Sequence, residues 1–540
     1  MSTICQNNKQ LLYVTKHNNR NMVDWIEKKL NSYSHNKGIV LALVLGFVIR
    51  LVPELLSFPF PVGWDTIYYA SRMSSGHVFA VGSDLVNSWL VYGILATLTN
   101  LTQLDPFLIL KIFAPLLYGG TCAGIYFVAW KRLNWNPTKS LLTSIFFSLQ
   151  LAALALSWQF YRNMLGIIVL LFALPFLKKD INKKETLTLS ILALLTVWSH
   201  ELAMASLFFI IFGMIITSKL KKQKIPTKLF IAILPAMLLF MGNLFWISPF
   251  ATPLNTNLTR IDDSNWAHPA GIFFITDYLN TKTPIETYTT YFSLLTNVTT
   301  LFLILYALTL PLTIIGYFKD RPLTIWTLLL LAGSLGCLII PTFSLFLWAR
   351  WMLLIIFPFT FYATNGLWKI TKSQPGNQNH NFFRKFKPTK PILLSLFVAS
   401  LILGSMFMVW PLNNKNEGLL RWGGSAKYVP STMQTTSIPL RDIEPTQKAY
   451  QWLNNNMNNN SALLVYDAFD NWAMLYLNTK HKGYLFDFYI EQAAKRATTE
   501  GYQTLYFVWW NQTIDWYQLQ PQNNWTIIQQ INRITIYRIT

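Results

Sequence analysis

Long runs without Asp, Glu, Lys or Arg dominate the first three quarters of the chain, at 140–161, 202–218, 229–258, 288–318, 323–349, 351–368 and 392–414. Each is near or above the roughly 20 apolar residues that a helix needs to cross hydrocarbon. Weaker apolar stretches at 39–58, 112–130, 164–177 and 187–199 add four candidates, and the last two are short enough that tilt or neighbouring helices must help. The pattern predicts an all-α polytopic membrane domain of about eleven spans over 38–410, behind an amino-terminal segment, 1–37. Two long connections, 59–106 and 248–287, interrupt it, and the mixed apolar stretch 85–101 within the first predicts a helix lying against the membrane surface. Beyond 410 the hydropathy falls. Helical spacing at 444–456, 471–477 and 489–500 alternates with β-rich runs at 462–466, 504–508, 525–529 and 534–538. This rhythm predicts a small α/β domain over 411–540, large enough for its own core.

Composition agrees: 52% of the 540 residues are hydrophobic and only 12% charged, a balance suited to a lipid solvent. Charge then sets the orientation, because Lys and Arg beside spans are retained in the cytoplasm. With the amino terminus inside, 26 of the 44 Lys and Arg fall in 1–37, 131–139, 178–185, 219–228, 319–321 and 369–390. Those segments carry a net +21, the outer loops −2 and the tail +2, so the whole net charge of +21 is cytoplasmic. The basic residues therefore read as topology signals facing anionic membrane lipid, and nucleic acid is not expected as a partner. A multi-pass protein of the plasma membrane follows, with the carboxy-terminal domain outside.

The Asn-x-Ser/Thr sequons starting at Asn100, Asn257, Asn297, Asn459, Asn511 and Asn524 all fall outside or at an outer edge under this topology, which is consistent with it. Cys5, Cys122 and Cys337 offer neither a disulfide pair nor a metal-ligand spacing. The first apolar run follows more than thirty polar residues and reads as a signal anchor. Gly119-Gly120, inside a span, reads as a packing feature.

Ionisable groups at a bilayer edge are costly and are kept for pairing or for function. Arg50 and Glu54, at i and i+4 in the last turns of the first span, read best as an ion pair. Asp65 follows Gly63-Trp64 just beyond that span, while Arg162, His200, Glu201 and Arg350 occupy short outer turns. Taken singly, Asp65 suits a helix cap, His200-Glu201 a polar turn and Arg350 a snorkelling cation. Together they place an acid, a His-Glu pair and several arginines on one side.

At this point the sequence resembles the GT-C membrane glycosyltransferases, a superfamily that includes oligosaccharyltransferase catalytic subunits and protein mannosyltransferases. The likeness rests on layout and on the phrases Arg50-Leu-Val-Pro-Glu-Leu-Leu, Pro61-Val-Gly-Trp-Asp-Thr-Ile-Tyr-Tyr-Ala, Tyr161-Arg-Asn-Met-Leu-Gly and Trp348-Ala-Arg-Trp-Met-Leu-Leu. It covers about the first 410 residues and looks most like archaeal members. The resemblance implies transfer of a sugar from a polyprenyl-phosphate carrier, such as a dolichyl phosphate, to a glycan, lipid or protein acceptor in the cell envelope. Asp65 would match the catalytic acid of the first loop, with Glu201 or Asp84 as a second. Arg350, Arg162 and Arg72 would hold the donor phosphate. A Mg²⁺ or Mn²⁺ cofactor would be held by Asp65, His200 and Glu201.

There are departures. The next short outer turn reads Trp158-Gln-Phe-Tyr-Arg-Asn without the carboxylate that family members often carry there, and Asp262 and Asp263 join Asp84 and Glu201 as candidates for it. Trp509-Trp510 is followed by Asn511 where oligosaccharyltransferases have Trp-Trp-Asp, so transfer to protein asparagine is not supported. The four tail tryptophans, 509, 510, 516 and 525, suit sugar stacking but suit a domain core better. Two further readings are a transporter or flippase of lipid-linked glycans, and a non-catalytic anchor for the outer domain. A transporter would show repeated halves with broken spans and ionisable groups at mid-membrane, and none is visible here.

Overall fold

The computed structural model describes residues 34–74, 89–224, 226–246, 257–261, 291–339, 348–372, 390–413, 433, 438, 440–466, 469–486, 489–511, 521–522 and 524–539. Asp84, Asp262, Asp263, Trp266, His268, Cys5, Trp516 and most of 1–37 lie outside them.

The membrane part runs through α1 (His35–Leu56), α2 (Thr66–Ser74), α3 (Leu90–Thr102), α4 (Pro106–Lys131), α5 (Pro137–Ser148), α6 (Leu151–Gln159) and α7 (Tyr161–Ala173). It continues with α8 (Lys183–Ser199), α9 (Glu201–Leu220), α10 (Thr227–Trp246), a short strand β1 (Leu258–Arg260), α11 (Tyr291–Tyr306) and α12 (Leu310–Gly316). The last elements are α13 (Arg321–Leu335), α14 (Trp348–Leu354), α15 (Ile356–Lys372) and α16 (Lys390–Asn413). All eleven apolar windows contain helix, while eleven spans are not confirmed. Among the described residues six helices are long and apolar enough to cross a membrane, or eight if the pairs α5–α6 and α11–α12, bent by 65° and 72°, are one span each. The chain is thus a multi-pass membrane protein. α7, with 13 residues, and α8, with 17 and a polar first turn, are shorter than a full crossing, so neighbouring helices must supply what length does not. The stretch 85–101 is helical from Leu90, as α3.

Small residues set the closest contacts. On α1, Gly38, Ala42 and Gly46 form the buried stripe, and a Cβ at Gly46 would stand 2.6 Å from Cys122 Sγ of α4. Gly119 returns the approach from α4, so the Gly pair does serve packing. Val40, Val44 and Val48, on the opposite face of α1, are exposed, as a lipid-facing surface requires. At the crossing of α12 and α15, added Cβ atoms at Gly316 and Gly366 would overlap the carbonyl oxygens of Tyr362 and Leu312.

The carboxy-terminal part contains α17 (Leu440–Asn456), β2 (Ser461–Tyr466), α18 (Asp470–Tyr476), β3 (Lys482–Phe486), α19 (Ile490–Thr499), β4 (Thr504–Trp510), β5 (Thr526–Ile531) and β6 (Ile534–Ile539). The sheet order is β1-β3-β2-β4-β6-β5, with β1, β3, β2 and β4 parallel and β6 and β5 antiparallel. Two strands escaped the sequence reading. β3 is only Lys-Gly-Tyr-Leu-Phe, and β1 comes from the connection 248–287, pairing Leu258 with Gly483 and adding an edge strand to the distant sheet. Arg260 Nη2 lies 3.3 Å from Asp470 Oδ2 and fastens that strand. Trp509, Trp510 and Trp525 are buried among strand side chains, which settles these three as core rather than sugar-stacking residues. Ile67 of α2 joins the same apolar cluster, and α18 packs on α2, so the sheet domain rests directly on the helix that follows Asp65.

Replacing Gly366 with Leu should push α12 from α15 and cost about 1–3 kcal/mol, seen as a lower unfolding temperature of the purified protein in detergent. An unchanged temperature would show that this crossing does not hold the bundle.

Candidate functional site

The site begins with a buried ion cluster. Arg50 Nη1 lies 2.7 Å from Glu54 Oε1, off the direction of an aligned hydrogen bond, and Lys111 Nζ lies 3.3 Å from Glu54 Oε2. The ion pair read from the i, i+4 spacing is therefore real, with a third member contributed by α4. Its spare valences hold backbone. Glu54 accepts from the Val62 amide (3.2 Å), and Arg50 donates to the Val62 carbonyl (3.4 Å) and to Ser157 Oγ (2.9 Å). Lys111 donates to the Phe60 carbonyl (2.8 Å), to Ser57 Oγ (3.1 Å) and to the Glu54 carbonyl. These bonds clamp 57–62 to the end of α6. Gly63 then takes φ +137°, and a Cβ there would fall on the carbonyl oxygen of Trp158. Only glycine fits that approach, and Asp65 is delivered two residues later.

Asp65 touches some solvent yet is surrounded by protein on nearly all sides. Burial raises its pKa to about 6, against the opposing pull of the Arg350 guanidinium. No described donor hydrogen-bonds its carboxylate, so the capping role that suits an Asp before a helix is not realised. Arg350, on the first turn of α14, places its guanidinium carbon 4.9 Å from the centre of the Phe160 ring, at the break between α6 and α7.

Beside this pair stands a second cluster. Arg162 Nη2 lies 2.6 Å from Glu201 Oε1, and Glu201 Oε2 lies 3.7 Å from His200 Nε2. His200 Nδ1 caps α9 by accepting from the Leu202 amide at 3.0 Å, which leaves a neutral ring its proton on Nε2. Burial pushes the His200 pKa down to about 3, with Arg162 and Arg350 lowering it further and Glu201 opposing, so the ring is neutral near pH 7. Tyrosines fill the space between the two clusters: the rings of Tyr69 and Tyr161 are 4.8 Å apart, and those of Tyr69 and Tyr92 5.8 Å. Arg162 lies 5.6 Å above Tyr92, and Arg72 lies 5.2 Å above Tyr68, whose hydroxyl accepts from Arg72 Nε.

The described candidates, Asp65, Arg72, Arg162, His200, Glu201 and Arg350, thus gather at one end of the bundle; Asp84 lies outside the described residues. The trio Asp65, His200 and Glu201 does not converge on a metal. Among the described residues no three His, Cys, Asp or Glu side chains are grouped to hold an ion, and Glu201 is engaged by Arg162. Sequence reasoning missed the tyrosines and the turn between α6 and α7. There, Gln159 Oε1, Tyr161 Oη, Arg162 Nε and both amide atoms of Asn163 are buried without a hydrogen-bond partner among the described residues. Such groups are expensive, and these five flank Phe160, the residue that Arg350 covers. The departure of 158–163 from the family pattern was the only signal pointing there.

No family model matches the sequence, and no curated protein matches it. Solved structures are similar in overall course. ArnT from Cupriavidus metallidurans bound to undecaprenyl phosphate aligns at TM-score 0.48 and 12% identity, over 93% of this chain and 97% of that one. The arabinofuranosyltransferase AftD from Mycobacteria aligns at TM-score 0.48 and 12% identity, over 94% of this chain and 40% of AftD. The archaeal oligosaccharyltransferase AglB from Archaeoglobus fulgidus aligns at TM-score 0.42 and 11% identity, over 89% and 70%.

Removing one partner from a buried ion cluster leaves the others uncompensated. Glu54→Met should therefore destabilise the protein by about 3–5 kcal/mol, whereas Arg50→Met, Glu54→Met and Lys111→Met combined should cost less than Glu54→Met alone. Thermal unfolding of the purified variants checks both, and a triple variant that is the less stable would contradict the account.

Proposed function

We propose that this protein is a membrane glycosyltransferase that moves a sugar from a polyprenyl-phosphate donor to a hydroxyl of a glycan, lipid or protein acceptor on the outer face of the membrane. The observation that carries this reading is the surroundings of Asp65: a largely buried carboxylate of raised pKa with no hydrogen-bond donor among the described residues, the Arg350 guanidinium acting on it, and buried polar groups at 159–163 without a partner among the described residues. The resemblance of the first-loop and span phrases to membrane glycosyltransferases supports it, and the distribution of basic residues supports the outer face.

The chemistry needs few parts. Ionised Asp65 takes the proton of the acceptor hydroxyl, whose oxygen forms the new bond to the anomeric carbon. The bond from that carbon to the phosphate oxygen breaks, and the lipid phosphate leaves with the electron pair. The phosphate needs a cation rather than a strong acid, and Arg350 offers forked donors near Asp65. In this reading Arg162, held by Glu201, positions the tyrosine wall and the unpartnered amide of Asn163 along the sugar, and Arg72 lies farther out along the same wall. A Mg²⁺ or Mn²⁺ ion at Asp65 would need donors from outside the described residues, where Asp84, Asp262 and Asp263 lie, so no step is assigned to it.

Purified protein in lipid should transfer labelled sugar from one of a panel of polyprenyl-phosphate donors, and Asp65→Asn should lower that transfer by about 10²–10⁴-fold. Equal transfer by both proteins would remove Asp65 from the chemistry. Movement of an intact lipid-linked glycan across the bilayer, without bond cleavage, would favour a flippase.

Because a base must be ionised, kcat/KM should rise with pH through a limb near 6 rather than near 4. Arg350 favours the charged carboxylate, so Arg350→Gln should move the limb to higher pH. A limb that stays in place would separate Arg350 from Asp65.

A further inference from the structure

At the end of the bundle remote from Asp65, a recess of about 480 Å³ opens between helix ends. The 20 residues of α9 separate the two ends by about 30 Å. Five cations line the recess: Lys131, Arg132, Lys178, Lys179 and Arg321. Among the described residues no carboxylate lines it, and its apolar wall comes from Pro175, Leu177, Met214 and Pro322.

Two of the cations are already engaged. Arg132 Nε lies 2.9 Å from Asp320 Oδ1 and Arg132 Nη1 donates to the carbonyls of Leu174 and Leu177, while Lys178 meets Glu185 at 3.2 Å. The remaining nearby acid, Asp180, lies 3.8 Å from Lys224. Lys131, Lys179 and Arg321 have no ion-pair partner among the described residues. Lys131 Nζ lies 3.7 Å from the centre of the Trp130 ring. Arg321 is the most telling: Nη1 donates to Ser218 Oγ at 3.1 Å, but Nη2 is buried with no acceptor.

Position adds to chemistry. Lys131 ends one membrane-crossing helix and Arg321 begins another, so the recess sits at headgroup level. Three cations without counter-charge, one with a buried forked donor unsatisfied, lack an anion with several oxygens. We propose that this recess is a second ligand site, separate from the candidate active site, which binds a phosphate group, supplied by the headgroup of an anionic membrane lipid or by a soluble phosphate. Arg321 grips the phosphate oxygens from the wall, Lys131 and Lys179 neutralise it from the mouth, and the apolar wall lies against the glycerol and upper acyl carbons when the source is lipid.

The test uses the full-length protein, delipidated in neutral detergent and titrated with phosphatidylglycerol, phosphatidylcholine or inorganic phosphate, with retained ligand counted by native mass spectrometry. Phosphatidylglycerol should bind about tenfold more tightly than phosphatidylcholine, and the combined change Lys131→Gln, Lys179→Gln and Arg321→Gln should abolish that preference. The control Lys219→Gln, Lys221→Gln and Lys222→Gln, which removes as much charge beside the recess, should change it less than about twofold. Arg321→Lys keeps the charge but loses the fork and should also weaken binding, which covers failure of the triple variant to fold. Binding of inorganic phosphate that depends on Arg321, without lipid preference, would assign the soluble source. Equal loss in the recess and control variants, or no response to either anion, would overturn the proposal.

Discussion

The burial of Arg50, Glu54 and Lys111 is the constraint on which the rest of the arrangement depends. Three charges, all nearly inaccessible, occupy the meeting point of α1 and α4. Their desolvation is tolerable because most of the remaining donors and acceptors are used on backbone and on Ser57 and Ser157. That backbone is the segment 57–62 on one side and Ser157 on the other, so the cluster ties the approach to Asp65 to the turn that carries Phe160, Tyr161 and Arg162. Gly63 completes the join by lying flat against the Trp158 carbonyl. Two elements that a membrane bundle would otherwise leave as independent loops become one rigid floor.

On that floor the two acids have different surroundings. Asp65 has a cation acting on it but no donor to its carboxylate among the described residues, and burial lifts its pKa to about 6, so that it is mainly ionised at pH 7 yet close to exchanging a proton. Glu201 is half-exposed and held by Arg162. Environment divides identical chemistry into a carboxylate ready to exchange a proton and one that fixes an arginine. The sheet domain contributes from the far side of α2, where Ile67 enters its core and α18 packs along the helix. Strand β1 repeats the link from the connection 248–287, so the domain is tied to the membrane part by more than its covalent junction at α16.

The opposite end of the bundle obeys different physics. Apolar helices finish there in Lys and Arg, and most of these cations face open surroundings where they need no partner. In the recess between α4, α9 and α13, Arg321 Nη2 is withdrawn from solvent and the residue has no ion-pair partner among the described residues. The molecule is thus polarised along its helices, with a largely buried acid near tyrosines at one end and, at the other, cations without an ion-pair partner among the described residues.

Hydropathy is a local property, and what depends on it was legible in the sequence. The eleven apolar windows are helical, the α/β rhythm after 410 becomes a sheet domain with the expected helices, and the i, i+4 spacing of Arg50 and Glu54 makes an ion pair. The gathering of Asp65, Arg162, His200, Glu201 and Arg350 at one end also followed, because each lies at a span boundary and spans fix ends. Tertiary structure alone decided what distance along the chain conceals. Lys111 completing the ion cluster, β1 joining a sheet more than two hundred residues away, the tyrosine wall and the stranded groups at 159–163 all depend on packing between elements, and no periodicity encodes it. The short helix α7 depends on packing in the same way: a short apolar helix is stable in a bundle when neighbours cover its ends, and neighbours are not written in a window of sequence.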